Sequence, residues 1–246
     1  MLHKNYYEIR AKNYFDLGFQ EGQLFGVFLR QSVKQQKKLS YGDTGLLTRA
    51  KAYLKITKRM FPYLLEELEG YAEGARVPFD DLWLLSLEDE LFPSMYEKCT
   101  TVITNHGLLI AHNEDWDVEA MDAICVLKKT VQGLTILELY YLNTLGGNAI
   151  SVNSNGFVQT INTLTHSDTQ IGVPKNIIAR WLSETNDPES DFKRLEMIQR
   201  ASGYSHNFCR TDGAIWNFEC SAKEQILLCP NAPFIHTNHF LTRLGR

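Results

Sequence analysis

The stretch YEKCTTVITNHGLLIAHNEDWD, residues 96–117, is where the chain changes character. Upstream of it, from residue 14 to about residue 93, apolar positions recur at helical spacing. YFDLGFQEGQLFGVFLRQSVKQQKK puts Phe15, Leu17, Leu24, Phe25 and Phe28 broadly on one side of a helix. FPYLLEELEGYAEGARVPFDDLWLLSLEDELF reads as two helices broken around Gly74 to Pro78. Pro78 with Asp80 and Asp81 suits a helix start, because carboxylates favour the unpaired N–H groups and the dipole there. From Cys99 onward the pattern shortens and alternates. CTTVIT, GLLIAHN, AICVLKKT, LTILELYYL, NAISVNS and GFVQTIN are rich in Val, Ile, Thr and aromatic residues and are separated by Gly-containing turn dipeptides. They read as an antiparallel meander. VPKNIIARWLSET and DPESDFKRLEMIQRA then read as helices, the second with Asp187 as N-cap and Pro188 at its first position. Strands resume in NFCRTDGAIWNFECS, where Asp212-Gly213 marks a hairpin turn, and continue through QILLC and PFIHTNHF.

A chain of 246 residues, 44% of them hydrophobic, can bury a substantial core. Its 25 basic and 29 acidic residues give a formal charge of -4, with no basic run to meet a polyanion. Nucleic acid is therefore not an expected partner. The N-terminus MLHKNYYEIR lacks the apolar core of a signal peptide, and no run of about 18 apolar residues could span a membrane. The expectation is a soluble, cytoplasmic protein acting on a small molecule or a peptide-like substrate. Five cysteines, Cys99, Cys125, Cys209, Cys220 and Cys229, without C-x-x-C spacing argue against a disulfide framework or a thiolate zinc site.

Three polar positions are candidates for chemistry, although a cysteine at the start of a strand also fits a small hydrophobe in a core. Cys99 heads a strand at the boundary between helices and sheet, where a cut would make its amine a chain terminus. An α-amine titrates near pH ~8, so it can take the proton from its own thiol without a histidine partner. In HNEDWD, residues 112–117, Asp117 can orient or charge the group around the nucleophile, while Asn113, Asp115 and Trp116 shape the pocket floor; a plain polar turn explains the same residues. In HTNHF, residues 236–240, Asn238 can donate its side-chain N–H to a developing oxyanion, or cap a turn. His236 and His239 lack a third ligand at diagnostic spacing, so no metal site is expected.

Together YFDLGFQEGQLFG, EELEGYAEGARVPFDDLWLL, CTT followed by NEDWD, GGNAISVNSNGFVQTINTL, GVPKNIIAR and HTNHF resemble the acyl-coenzyme A:6-aminopenicillanic acid acyltransferases, cysteine-type N-terminal-nucleophile hydrolases. The resemblance implies an α+β fold, a four-layer α/β/β/α sandwich over residues 99–246, with residues 1–98 as a helical pro-segment packed on it. It implies self-cleavage between Lys98 and Cys99, with Cys99 as nucleophile, Asp117 as the catalytic-site aspartate and Asn238 in the oxyanion hole. The reaction implied is acyl transfer through a thioester on a small acyl amide, with acyl-coenzyme A as a candidate donor and no metal or organic cofactor. Family members continue past HTNH, so the sequence reads as shortened at its C-terminus, with a last strand open to a second copy in a homo-oligomer. Two other readings fit the same residues: a non-catalytic remnant serving as a binding or assembly module, and an uncut thiol hydrolase using Cys99, His236 and Asn238.

Overall fold

The structure, a computed structural model, describes residues 5–39, 45–92, 98–115 and 118–245. The chain opens on a strand, β1 (Tyr6–Ala11), followed by α1 (Tyr14–Leu39), α2 (Leu46–Met60), α3 (Pro62–Ala75), α4 (Phe79–Ser86) and the one-turn α5 (Glu88–Leu91). Next come β2 (Lys98–Thr104), β3 (Leu109–Asp115), β4 (Ile124–Val131), β5 (Leu134–Tyr141), β6 (Ile150–Asn153) and β7 (Phe157–Thr163). After α6 (Lys175–Leu182) and α7 (Pro188–Glu196) the chain ends in β8 (Tyr204–Arg210), β9 (Ile215–Cys220), β10 (Gln225–Leu228) and β11 (Phe234–His236).

Local chemistry sets these boundaries. At the head of α1, Asn13 Oδ1 accepts from the Asp16 amide at 2.8 Å, and Asp16 Oδ2 accepts from the Lys12 amide at 2.9 Å, so two orphan donors are satisfied reciprocally. At the head of α7, Asp187 accepts from the Ser190 amide at 3.2 Å, and Pro188 occupies the first helical position, as expected. Between β2 and β3 the backbone of Asn105, His106 and Gly107 is left-handed, which turns the strand back on itself.

Two expectations need correction. The segment before Cys99 is not purely helical, because β1 joins the large sheet as an edge strand parallel to β4, with Tyr6 beside Val126 and Ala11 beside Val131. Ile9 alone among its residues is buried, so the segment carries little alternating signal. Nor do the strands from Cys99 onward form one meander. β4 to β7 continue into β8, β9 and β10 as an eight-stranded sheet ordered β1-β4-β5-β6-β7-β8-β9-β10. β2 and β3 instead leave it and pair with β11 in a separate three-stranded sheet, ordered β11-β2-β3.

Alternation along β7 and β8 shows how the layers meet. On one face, Gln159 donates to the Ala179 carbonyl of α6 at 3.2 Å, and Ile161 and Tyr204 pack on Ala179. On the other, Thr160 and Asn207 meet Thr101 of β2, and Cys209 packs with Ile103. Helices therefore cover one face of the large sheet and the small sheet lies on the opposite face, a mixed α+β architecture. The outer face of the small sheet shows Leu109 and Ile235, both 56% exposed. No helix among the described residues is long and apolar enough to cross a membrane.

The helical layer is held by a close approach of α1 to α3. A Cβ at Gly18 would lie 1.8 Å from the Glu67 carbonyl oxygen, and one at Gly70 would lie 2.0 Å from that of Phe15. Glycine costs an isolated helix about 1 kcal/mol relative to alanine, but here it lets two backbones touch. Beneath this pair sits a buried charge network. Lys129 of β4 donates to the Leu145 carbonyl and forms an ion pair with Glu138 of β5, each at 2.8 Å, and lies within 4 Å of Glu21 of α1 and Glu67 of α3. Arg180 of α6 clasps Glu67 with two N–H groups, at 3.1 and 2.9 Å. Burial pushes the Glu21 carboxyl well above its ordinary range, against the pull of Lys129. Segments on both sides of Cys99 thus share one core and one ionic network.

Candidate active site

The strand ends gather at one end of the two sheets. The start of β2 brings Cys99, the ends of β3, β5 and β7 bring Glu114, Tyr141 and Thr163, and the start of β8 brings Tyr204. With Ser86, Glu88, Asp89 and Asn176 these residues line a cavity of about 490 Å³. Its size suits a small organic ligand. The loop after β5, including Thr144, Leu145 and Asn148, forms another wall, and the buried charges fix that wall from below. Lys129 holds the Leu145 carbonyl, and Glu138 accepts from the Gly147 amide at 2.7 Å.

Cys99 is 5% exposed. Its backbone nitrogen donates to Asn238 Oδ1 at 2.8 Å, and Asn238 Nδ2 donates to the Thr163 carbonyl at 3.1 Å. Asn238, 139 positions from Cys99 in sequence, therefore clamps the amide at which a cut would create an amine. One of its two amide N–H groups is committed to Thr163, which leaves the second for an incoming oxygen. The other cysteines offer less. Burial pushes Cys125 and Cys209 up to about 12 and Cys220 to about 11, so these thiols stay protonated, and Cys229 is exposed away from the cavity.

Facing Cys99 across the hairpin is Glu114, its register partner. Two residues earlier on the same face lies His112, whose side chain is 1% exposed. His112 Nε2 meets Glu114 Oε1 at 2.5 Å, and Tyr141 donates to Glu114 Oε2 at 3.0 Å. The Cys99, His112 and Glu114 donor atoms lie within 4.8 Å of one another. Below them Thr101 donates to Asn162 at 2.9 Å and meets His112 Nδ1 at 2.9 Å, with Asn207 and Asn217 continuing the polar network into the large sheet.

Residues 102–244, more than half of the chain, match the family described as acyl-coenzyme A:6-aminopenicillanic acid acyl-transferase. The chain belongs to that family. Among characterised relatives it is similar to the beta-alanyl-dopamine/carcinine hydrolase of Drosophila melanogaster, 28% identical over 213 residues, which covers 74% of this chain and 55% of the hydrolase. The chain thus spans about half the length of that relative. The match to the acyl-transferase family begins three residues after Cys99 and includes β3, β7 and the HTNH segment.

Within this acyl-transferase fold the residues expected from sequence separate. Cys99 and Asn238 are brought together. Lys98 is the first residue of β2, with its backbone beside Asp115. Asp117 and Trp116 lie outside the described residues. Asn113 and Asp115 do not line the cavity: they share the outer, exposed face of β3, where Asn113 Nδ2 donates to Asp115 Oδ1 at 2.6 Å. Alternation along the strand turns Glu114 and His112 inward in their place. His236 is also not the imidazole beside Cys99. It is fully buried, with Nε2 on Glu219 at 2.9 Å and Nδ1 on the Thr237 carbonyl at 2.6 Å. Burial pushes Glu219 up, but hydrogen bonds from His236 and from the Thr242 and Leu241 amides outweigh it and hold the carboxyl below its ordinary range. That cluster pins the end of the chain to β9. Sequence reasoning passed over His112 and Glu114, although a His-x-Glu pair on a strand must share one face.

Proposed function

We propose that the chain is a cysteine N-terminal-nucleophile amidohydrolase or acyltransferase that cuts itself before Cys99 and acts on amide bonds of small acylated amines. The observation that carries this reading is the placement of Cys99: its side chain lines the cavity while Asn238 holds its nitrogen at 2.8 Å. Family membership and the hydrolase relative support it.

In the first step the Cys99 thiol attacks the carbonyl carbon of Lys98. The Lys98–Cys99 peptide bond breaks as a thioester forms and the nitrogen takes the proton; water then hydrolyses the thioester, freeing a Lys98 carboxylate and the Cys99 thiol and amine. In each later turnover the amine takes the thiol proton and Sγ attacks the substrate amide carbonyl. The second N–H of Asn238 Nδ2 stabilises the oxyanion, the proton passes to the leaving amine, and the acyl group stays on Sγ. Water releases an acid, or another amine takes the acyl group. Asp117 is the charged group that orients the amine in this reading. Acyl-coenzyme A can serve as an alternative donor, by the same attack on a thioester carbonyl.

The cavity walls favour an acyl group that carries a cation. Burial, and then the neighbouring Asp89, raise the Glu88 carboxyl above its ordinary value, a cost that a bound ammonium would relieve. A β-alanyl group, named for the relative's substrates, ends in such an amine.

Intact-mass measurement on the 246-residue chain tests the mechanism. Two fragments divided between Lys98 and Cys99 are expected, and Cys99→Ala should stay whole. A single uncut species with full amidase activity would exclude the N-terminal amine as base.

A further inference from the structure

We propose that Cys99, His112 and Glu114 form a binding site for a thiophilic divalent cation, zinc above all, which caps the nucleophile when bound. The site needs neither the cut before Cys99 nor amide chemistry, since all three ligands are side chains of one hairpin.

The hydrogen-bond network supplies the first argument. Thr101 Oγ1 gives its proton to Asn162 Oδ1 at 2.9 Å, so at His112 Nδ1, also 2.9 Å away, it must accept. Nδ1 then carries a hydrogen, and Nε2 turns its lone pair toward the Glu114 carboxylate at 2.5 Å. A divalent ion can bridge that lone pair and the carboxylate once a third donor is at hand. The third donor is the Cys99 sulfur, within 4.8 Å of both.

Geometry agrees. Zinc takes sulfur at about 2.3 Å, imidazole nitrogen at about 2.0–2.1 Å and carboxylate oxygen at about 2.0–2.2 Å, which separates tetrahedral donors by roughly 3.2–3.8 Å. Small side-chain rotations reach those separations by opening the His112–Glu114 contact and drawing the sulfur in. Partners that orient the ligands are already built: Thr101 fixes the imidazole tautomer, and the Tyr141 hydroxyl holds the second Glu114 oxygen at 3.0 Å. Cys99 and Glu114 both line the cavity, so the fourth position opens toward solvent or a small ligand. One thiolate, one imidazole and one carboxylate favour zinc over magnesium or calcium, which prefer oxygen alone.

Cobalt(II), a visible stand-in for zinc, tests the site on the whole chain kept reduced with a phosphine and freed of metal. One equivalent should bind with a sulfur-to-cobalt charge-transfer band in the near ultraviolet, and zinc should displace it. Cys99→Ser should abolish the band, His112→Gln and Glu114→Gln should each weaken binding by about tenfold or more, and Cys229→Ser should change nothing. A second measurement needs no variant: zinc should slow iodoacetamide alkylation of Cys99, mapped by peptide mass, while leaving Cys229 as reactive as before. A band that survives Cys99→Ser or vanishes with Cys229→Ser, or an alkylation rate at Cys99 indifferent to zinc, would overturn the site and leave His112–Glu114 as a structural pair only.

Discussion

In the proposed reaction Asn238 would serve two steps with one side chain. Its carbonyl holds the Cys99 nitrogen and its amide donates to the Thr163 carbonyl, so in the proposed mechanism replacing it removes a positioning contact and an oxyanion donor together. Asn238→Ala should lower turnover by about a hundredfold or more, and Asn238→Asp should not restore it, because the carboxylate repels the oxyanion. Steady-state kinetics on an amide substrate would decide this; near-normal turnover in Asn238→Ala would remove the residue from the chemistry. Glu90 makes a different residue-scale prediction. Burial, then Asp89, push its carboxyl up to about 7 against Lys175, and its Oε2 is shut from solvent without a hydrogen bond. An unfolded carboxyl titrates near 4.5, so between there and about 7 the folded chain holds a proton that the unfolded chain has released. The stability from this group is complete below the lower value and lost as pH rises through the upper one. Glu90→Gln, which keeps an acceptor for the Lys175 amide and Ser202, should therefore melt above the parent at pH ~8 and level with it near pH ~4.5. Equal melting temperatures at both values would refute the assignment.

Among the elements, the α1–α3 pair carries the sharpest expectation. Alanine in place of a helical glycine ordinarily stabilises by about 1 kcal/mol, yet Gly70→Ala should destabilise by about 3 kcal/mol or more, because its methyl carbon would lie 2.0 Å from a carbonyl oxygen. Gly26→Ala, where the nearest contact is 3.0 Å, should cost much less. Denaturant melts of the two variants give the comparison, and equal effects would mean that the helices part freely. The helices and the strands from β2 to β11 were legible from their periods. β1 was not, because one buried isoleucine in six residues leaves no alternation to read. At the candidate site, the proximity of Cys99 and Asn238 was legible from their motifs, but the inward face of β3 was not. Which of Asn113 or Glu114 points inward depends on hairpin register, and a slip of one residue exchanges the faces. The left-handed turn at Asn105 to Gly107 sets that register, and its geometry is not written in the strand itself. His112, the residue that parity adds, was hidden for the same reason.

At the scale of the whole molecule, segments on the two sides of Cys99 are built into each other. β1 extends a sheet whose other strands all come from the second segment, and Glu21 and Glu67 reach Lys129 and Arg180 across the same divide. Breaking either set leaves a buried charge unpaired, which typically costs about 3–5 kcal/mol. Arg180→Ala should accordingly lower stability by that amount in a thermal or denaturant melt, whether or not the chain is cut, and a loss below about 1 kcal/mol would show that the network relaxes around the gap. The position of β1 has one more result. In the proposed cut form the protein would be two molecules that must find each other, and its melting temperature should rise with concentration, while uncut Cys99→Ala melts independently of it. Folding would then have a direction in time: a single chain shapes both pieces while they are still tethered, and a pair separated by heat or dilution has lost the tether that first brought β1 to its sheet.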